Sequence, residues 1–558
     1  MNYRIKSNLH FIEKIIEEDI KNGLPIEKIK FRFPPEPNGY LHIGHVKSIY
    51  LNFQLGIKYQ APVILRFDDT NPIGENEQFI ESIKQDITFL GFKWNKVSYA
   101  SDYFQTLYEW AIKLIQNNQA YVDNQSKKNI KIQRKNSYTI GINSKHRNRS
   151  ILENINLFQK MKNGFFQEGS CVLRAKINME SPNMNMRDPI MYRILYKKHH
   201  RTGNKWCIYP TYDWTHGQCD YIEEISHSLC SLEFENKKPL YNWFLNKIFD
   251  KKKIIPKQIE FSRLHVSHSI TSKRKINFLI QKNIIRSWSD PRILTISGLR
   301  NKGYTSSSLK NFIQKIGITK RNNNIDISFL EFCIRNHLNK IAPRVMVVLS
   351  PLKLIIDNYI ENKTEWINTQ NNPEDLSFGK RKIPFSRYLY IEKNDFSEKN
   401  KKNFFRLQIG KKIRLKSAYI IQANFFTKKK NGDIDEIHCT YDPESQYNKK
   451  NRTHHKNTMK TLHWVSIKHS IPIKINLYQT LFLKKKPEED EDFYNYINPK
   501  SKNEIIGQAE PSLKQSQIGT HFQFQRIGYF YIVKNNHNND ITANKIVSIK
   551  NQWKKKIL

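Results

Sequence analysis

Strand, turn, helix and strand signals follow one another so closely between residues 30 and 67 that they confine this part of the chain to a parallel α/β sheet. Lys30–Phe33 reads as a short strand, and Pro34, Pro35, Pro37, Asn38 and Gly39 then force a turn. Val46, Ile49, Tyr50 and Phe53 recur at helical spacing. The run Pro62–Phe67 (PVILRF) is almost wholly apolar, as a strand covered on both faces must be, and it ends in the carboxylates Asp68 and Asp69. Strand, helix and strand in this order imply parallel pairing through a crossover helix. Ahead of them, residues 7–22 carry Phe11, Ile12, Ile15, Ile16 and Ile20 on one helical stripe, with Ser7 or Asn8 as the expected cap and Gly23 past the end.

The segment Lys127–Ser150 is polar and basic and reads as a surface excursion of loops within an inserted domain. A second half of the sheet is expected to resume at Lys205–Tyr212 (KWCIYPTY), and residues 275–340 carry helical patterns such as SLKNFIQKIG and FLEFCIRNHLNK. Beyond Pro343 short alternating segments take over: Val345–Leu349, Tyr388–Ile391, Tyr419–Ala423 and Thr520–Val533, the last a hairpin pattern with Gly528 near its turn. This half reads as β-barrels, with Ser397–Lys402 and Lys484–Asp492 as charged loop tips.

At roughly 150 residues per domain, 558 residues suggest three or four domains, and 12% aromatic residues supply apolar surface for several cores. The N-terminus alternates charged and apolar residues where a signal peptide needs an apolar block, and no stretch approaches the roughly 18 apolar residues of a membrane span, so a cytoplasmic, non-membrane protein is expected. Six cysteines never form a C-x-x-C pair, which argues against a zinc ribbon or a disulfide framework. Lys plus Arg outnumber Asp plus Glu by 93 to 51, for a net charge of +42 that would attract a polyanion. Codon bias toward Lys, Asn and Ile produces the same excess, so charge alone does not define the partner.

Two motifs carry chemistry. PEPNGYLHIGH (Pro35–His45) lies between a strand and a helix; Gly44 permits close approach by a flat ligand, and His42 and His45 share one face of the first turn, at a helix end that attracts phosphate. A capped surface pair is the competing reading, and as a metal site the motif lacks a third ligand. ITSKRK (Ile270–Lys275) lies in an aperiodic stretch, expected to be a mobile loop, from which Lys273 could neutralise a polyphosphate; a solvated basic loop is the alternative.

Taken with RFPPEPNGYLHIGH, LRFDDTNP, LRAKI, HHRTGNKWCIYPTYD, SHSLCSLEF, EFSRL, SKRK, TISGLRNKGYT and AEPSLK, in order and along essentially the whole chain, the sequence resembles the bacterial-type glutaminyl-tRNA synthetases, a class I aminoacyl-tRNA synthetase family. The resemblance implies a Rossmann-like α/β catalytic domain (1–102 and 206–264) split by an acceptor-arm domain (103–205). A helical linking domain (265–341) and two antiparallel anticodon-binding β-barrels (342–558) would follow, in a monomer. It implies ATP, with Mg2+ as its counter-ion, L-glutamine and glutamine tRNA as substrates, and no permanently bound metal.

By position, His42, His45 and Lys273 would be catalytic, and Glu36, Pro37, Asn38, Ile43, Gly44, Val46, Lys47, Ser48, Ser231, Arg263, Leu264, Thr271 and Ser272 would complete the ATP site. Asp68, Tyr212 and Cys230 would hold glutamine. Cys230 is the discriminating position: the sister enzymes for glutamate place an arginine there, whereas a neutral thiol suits an amide. Read without the family, Asp68 would cap a helix and Cys230 would be an ordinary buried cysteine. Contacts to tRNA would come from Thr319, Lys320, Arg321, Asn322, Asn323, Asn324, Ile325 and Asp326, and in the barrels from Arg344 and Arg406. Three departures from the family pattern are Thr271 in place of methionine, the stretch Gly217–Glu224, and Phe405 in place of a basic residue.

Overall fold

The strand Val63–Phe67 is buried along its whole length and pairs in parallel with Phe31–Phe33 on one side and Lys96–Tyr99 on the other. The helices Ile43–Tyr59 and Glu77–Phe89 make the crossovers, as the apolar spacing of the sequence requires. A second parallel pair, His227–Ser231 with Lys257–Phe261, abuts this sheet where Ser226 N–H donates to the Lys30 carbonyl at 3.2 Å. The computed structural model describes residues 9–135, 138–248, 254–399, 404–446, 460–536 and 540–550. The chain forms two compact units, Met1–His265 with Ile313–Ile325, and Val266–Phe312 with Asp326–Leu558.

In the first unit, the N-terminal helix Phe11–Lys21 buries Ile12 and Ile16. Its cap is His10, whose ring accepts from Glu13 N–H while the Glu13 carboxylate accepts from His10 N–H; the expected caps Ser7 and Asn8 lie outside the described residues. A four-stranded antiparallel sheet, in order Ala120–Asp123, Val172–Ala175, Ile190–Ile194 and Ile208–Pro210, packs a core with the helices Phe104–Gln116 and Ile151–Lys162. The expectation for KWCIYPTY is therefore corrected: Ile208–Pro210 pairs antiparallel with Ile190–Ile194 and closes this sheet, and parallel pairing resumes only at His227. The polar excursion holds a helix as well as loops, Lys127–Arg134, because Ser126 caps it and Ile130 buries its one apolar face; residues 136–137 of that excursion lie outside the described residues.

The helices Ser306–Ile316 and Ile327–Ile341 match the helical patterns of the sequence. In the second unit two seven-stranded sheets each wrap an apolar core, one around Leu354, Phe385 and Trp464, the other around Ile475, Phe524 and Phe530. The expected antiparallel barrels are corrected to mixed sheets, since Pro351–Ile356 pairs in parallel with Ile434–Asp442 in the first and Ile471–Tyr478 in parallel with Ile541–Ser548 in the second. The hairpin expected at 520–533 forms between His521–Phe524 and Gly528–Asn535, with Arg526 at φ 67° in its turn. Gly528 itself begins the second strand, where a Cβ would lie 2.6 Å from the Val547 carbonyl of the next strand. Of the expected loop tip Ser397–Lys402, residues 400–402 lie outside the described residues. Among the described residues no helix is long and apolar enough to cross a membrane.

Candidate active site

His42 is the N-cap of the helix Ile43–Tyr59, and His45 occupies its third position. His42 Nδ1 accepts from Gly44 N–H at 3.1 Å, and His45 Nδ1 accepts from His42 N–H at 3.1 Å. The capped-pair reading is thus realised, and it has a chemical consequence: rings that accept through Nδ1 are neutral and carry their proton on Nε2. Their centroids are 4.0 Å apart. A Cβ at Gly44 would lie 2.8 Å from His42 Cε1, so a larger residue there would displace the His42 ring.

Around this turn Glu36 is exposed and accepts from the Asn38 amide at 2.6 Å, and Pro37 is buried with its carbonyl accepting from Asn76 N–H. Ile43 and Val46 have no exposed surface, so their side chains floor the helix and cannot meet a ligand. Lys47 departs furthest from its expected role. Its ammonium turns inward and donates to Ser262 O and Oγ, both at 2.7 Å, and burial lowers its pKa to about 8. Ser48 lends its carbonyl to Asn52. Ser231 Oγ donates to Glu233, which also pairs with the exposed Arg263 at 3.1 Å, while Leu264 is buried.

Asp68, Tyr212 and Cys230 are joined by a buried network. Asp68 Oδ1 accepts from Arg66 Nε at 3.0 Å; Arg66 bridges onward to Asp220 and Glu223, each at 2.9 Å; Asp220 accepts from Arg32 Nε at 2.9 Å. Arg32 then reaches the Cys230 thiol at 3.6 Å and His216 at 2.7 Å, and His216 stacks on Tyr212 with centroids 5.1 Å apart. Asp68 is therefore no helix cap. Its Oδ2 accepts no hydrogen bond among the described residues, and burial lifts its carboxyl to about 6 against the pull of Arg66. Asp220 is buried too, yet the two arginines hold it well below the usual range. Burial lowers His216 to about 3 and keeps it neutral, and it raises the Cys230 thiol.

The next carboxylate belongs to a separate cluster, in which Asp69, His199 and His200 bring three possible ligand atoms within 4.8 Å. Asp69 already accepts from Ser101 N–H and Oγ, and His199 donates from Nε2 to the Asp69 carbonyl while its Nδ1 accepts from Arg201 and Thr202 N–H. These bonds make the cluster a joint between the Asp69 turn and the 199–202 loop.

Of the segment 319–326, Thr319 binds Ser262 through both main chain and hydroxyl, and Asn322 accepts from Arg263 N–H. Lys320, Arg321, Asn322, Asn323 and Asn324 are exposed, and Ile325 is half-buried. Asp326, in the second unit, is spent on capping the helix Ile327–Ile341.

Lys273, also in the second unit, is the first residue of the helix Lys273–Gln281, so the ITSKRK stretch is half helix. Thr271 and Ser272 precede it and are held by Glu488. In the barrels Arg344 pairs with Glu374 at 2.8 Å and lines a cavity of about 430 Å³ together with Lys416, Gln523, Gln525 and Arg526. Arg406, tied to Asp395 at 2.9 Å, lines another of about 750 Å³ with Phe405, Lys460 and Arg526.

Sequence reasoning missed Arg32, Arg66, Asp220 and Glu223, the buried ion-pair network that joins Asp68 to Cys230. A signal existed: an arginine in the middle of each apolar strand (FRF, VILRF) can be buried only with paired carboxylates. Those carboxylates come from the divergent stretch 217–224.

Residues 28–340 match the family of tRNA synthetases class I (E and Q), catalytic domain, and residues 342–442 and 461–533 match two families of the corresponding anti-codon binding domain. The chain is 45% identical over 548 residues to the glutamine–tRNA ligase of Clostridium kluyveri, covering 98% of each. It is 46% identical over 547 residues to that of Proteus mirabilis, again covering 98% of each, and 48% identical over 568 residues to that of Buchnera aphidicola subsp. Schizaphis graminum, covering 99% of each. The chain belongs to the glutamine–tRNA ligase family of class I tRNA synthetases.

Proposed function

We propose that this chain is a glutamine–tRNA ligase that activates L-glutamine with ATP and esterifies it to the terminal adenosine of glutamine tRNA. The carrying observation is the state of Arg32 beside Cys230. The guanidinium donates to Asp220, Leu229 O, Ser228 and Cys230, so its charge and its donors are already committed. A γ-carboxylate would face a neutral thiol and a neutralised arginine, and would be buried without a counter-charge; an amide carries no such cost. Asp68 Oδ2, which accepts no hydrogen bond among the described residues, suits the substrate ammonium.

The reaction needs position and charge compensation more than a protein nucleophile. The glutamine carboxylate attacks the α-phosphate in line and pyrophosphate leaves; the 2′-hydroxyl of the tRNA then attacks the activated carbonyl and AMP leaves. His42 and His45 contribute Nε2–H donors at a helix N-terminus, which favours phosphate, and Lys273 contributes a cation to the leaving pyrophosphate. Magnesium would accompany ATP, held by its phosphate oxygens.

Under this reading residues 1–102 and 206–264, apart from the strand Ile208–Pro210, act as a split Rossmann-like nucleotide domain, 103–205 together with that strand receive the acceptor arm, and 265–341 link them to two anticodon-binding barrels. The cavity at Arg344, lined by amide and cationic side chains, supports capture of a splayed anticodon base. A cytoplasmic monomer fits this role. Charging glutamine tRNA transcripts with labelled glutamine tests the reading; no ester with glutamine, or an equal yield with glutamate, would overturn it.

A further inference from the structure

Within the second unit, the stretch ahead of Lys273 is gripped by a single carboxylate more than two hundred residues away. Glu488 Oε1 accepts from Thr271 N–H at 3.1 Å and from Ser272 N–H at 2.6 Å, and the Thr271 hydroxyl donates to the same carboxylate at 3.1 Å and 3.2 Å. Lys275 answers from the other side, its ammonium donating to the main-chain carbonyls of Glu488 at 2.7 Å and Asp490 at 2.6 Å. The expected charged loop tip at 484–492 is therefore a clasp. Ser272, at the N-cap of the helix Lys273–Gln281, makes no side-chain cap bond of its own. Glu488 takes up the main-chain donors just before the helix, on the end whose dipole favours an anion.

We infer that Glu488 is a positioning residue for amino-acid activation, holding Thr271 and Ser272 so that the helix starting at Lys273 presents its first ammonium at a fixed place. This rests on the proposed role of Lys273. Two features beyond proximity support it. The bonds go to main-chain N–H groups, so they fix backbone position; and the Thr271 hydroxyl joins them on the same carboxylate, a third donor that ties the side chain as well as the backbone. Thr271 and Glu488 therefore act as a matched pair.

The test uses the full chain with Glu488→Ala, Glu488→Gln and, as a neighbouring control, Glu489→Ala, whose carboxylate pairs at the exposed surface with Lys486. Amide hydrogen exchange comes first: Thr271 and Ser272 exchange at least about tenfold faster in Glu488→Ala, as loss of a charge-assisted bond requires. Unchanged exchange overturns the inference, whatever the activity. Adenylate formation comes second: Glu488→Ala lowers its rate about tenfold without changing the KM for glutamine, Glu488→Gln keeps most of the rate because its amide oxygen still accepts, and Glu489→Ala matches the parent. In a Lys273→Ala background Glu488→Ala adds no further loss, because it acts through that ammonium. Full additivity, or an equal fall in every kinetic constant, would mark a structural role and overturn the inference. A parent protein that activates no amino acid would overturn the proposed function instead, and the exchange measurement would still decide the contact.

Discussion

Arg32 and Cys230 meet at 3.6 Å, guanidinium against thiol, with the arginine wholly buried and already paired to Asp220. Among the described residues the cation that reaches the thiol is Arg32, which Asp220 neutralises, while Arg66 in the same network is paired with Asp68, Asp220 and Glu223. Cys230→Arg would place a second guanidinium there without an internal counter-ion, and the γ-carboxylate of glutamate would supply one. The ratio of kcat/KM for glutamine over glutamate is expected to fall at least about tenfold in this variant. An undiminished preference for glutamine would remove Cys230 from the account of specificity.

Asp68 sets a pH dependence whose sign follows from its burial. Its carboxyl titrates at about 6, raised from the usual range by desolvation. An ammonium is held only by the ionised form, which is predominant above that value and lost as pH falls through it. kcat/KM for glutamine should decline about tenfold per pH unit below 6. Asp68→Asn should be poor at every pH and lack this limb; a limb that persists would assign it to another group.

The Arg32–Asp220 pair should dominate stability measurements. Both side chains are fully buried, so Asp220→Asn leaves the Arg32 guanidinium inside without its carboxylate, while Arg66 keeps Asp68 and Glu223, and should cost about 3–5 kcal/mol in denaturant unfolding. The exposed pair Lys257–Asp19 is the control, and removing that lysine should change stability by less than about 1 kcal/mol. Equal effects would contradict the buried-network description.

The strands, crossover helices and the 521–535 hairpin were legible because each is written in local periodicity. Pro62–Phe67 could hardly be anything but an interior strand. The sheet membership of Ile208–Pro210 was not legible, since a three-residue apolar strand carries no mark of its partner. For the candidate site, the two motifs singled out His42, His45 and Lys273, and the family resemblance singled out Asp68 and Cys230. Neither could reveal that Lys47 turns inward to Ser262, or that Glu488 grips Thr271, because both contacts join residues more than two hundred positions apart.

Lys273→Ala should separate chemistry from RNA binding. Under the proposed function the variant loses a cation that compensates the leaving pyrophosphate, and adenylate formation is expected to slow about 10²–10³-fold while the Kd for tRNA stays within about twofold. A parallel loss of tRNA affinity would show that the ammonium serves RNA and not ATP.

Arg344→Ala addresses the barrel cavity. Under the proposed function Arg344 meets the RNA, so its removal should weaken tRNA binding and lower the slope of log K against log salt by about 1. An unchanged slope with unchanged affinity would exclude this cavity from the interface.

The most direct test of the central claim is ATP–pyrophosphate exchange on the purified chain, with glutamine or glutamate, in the presence and absence of glutamine tRNA. The account predicts exchange with glutamine when the tRNA is present and none with glutamate. Exchange driven by glutamate, or no exchange under any of the four conditions, would contradict it.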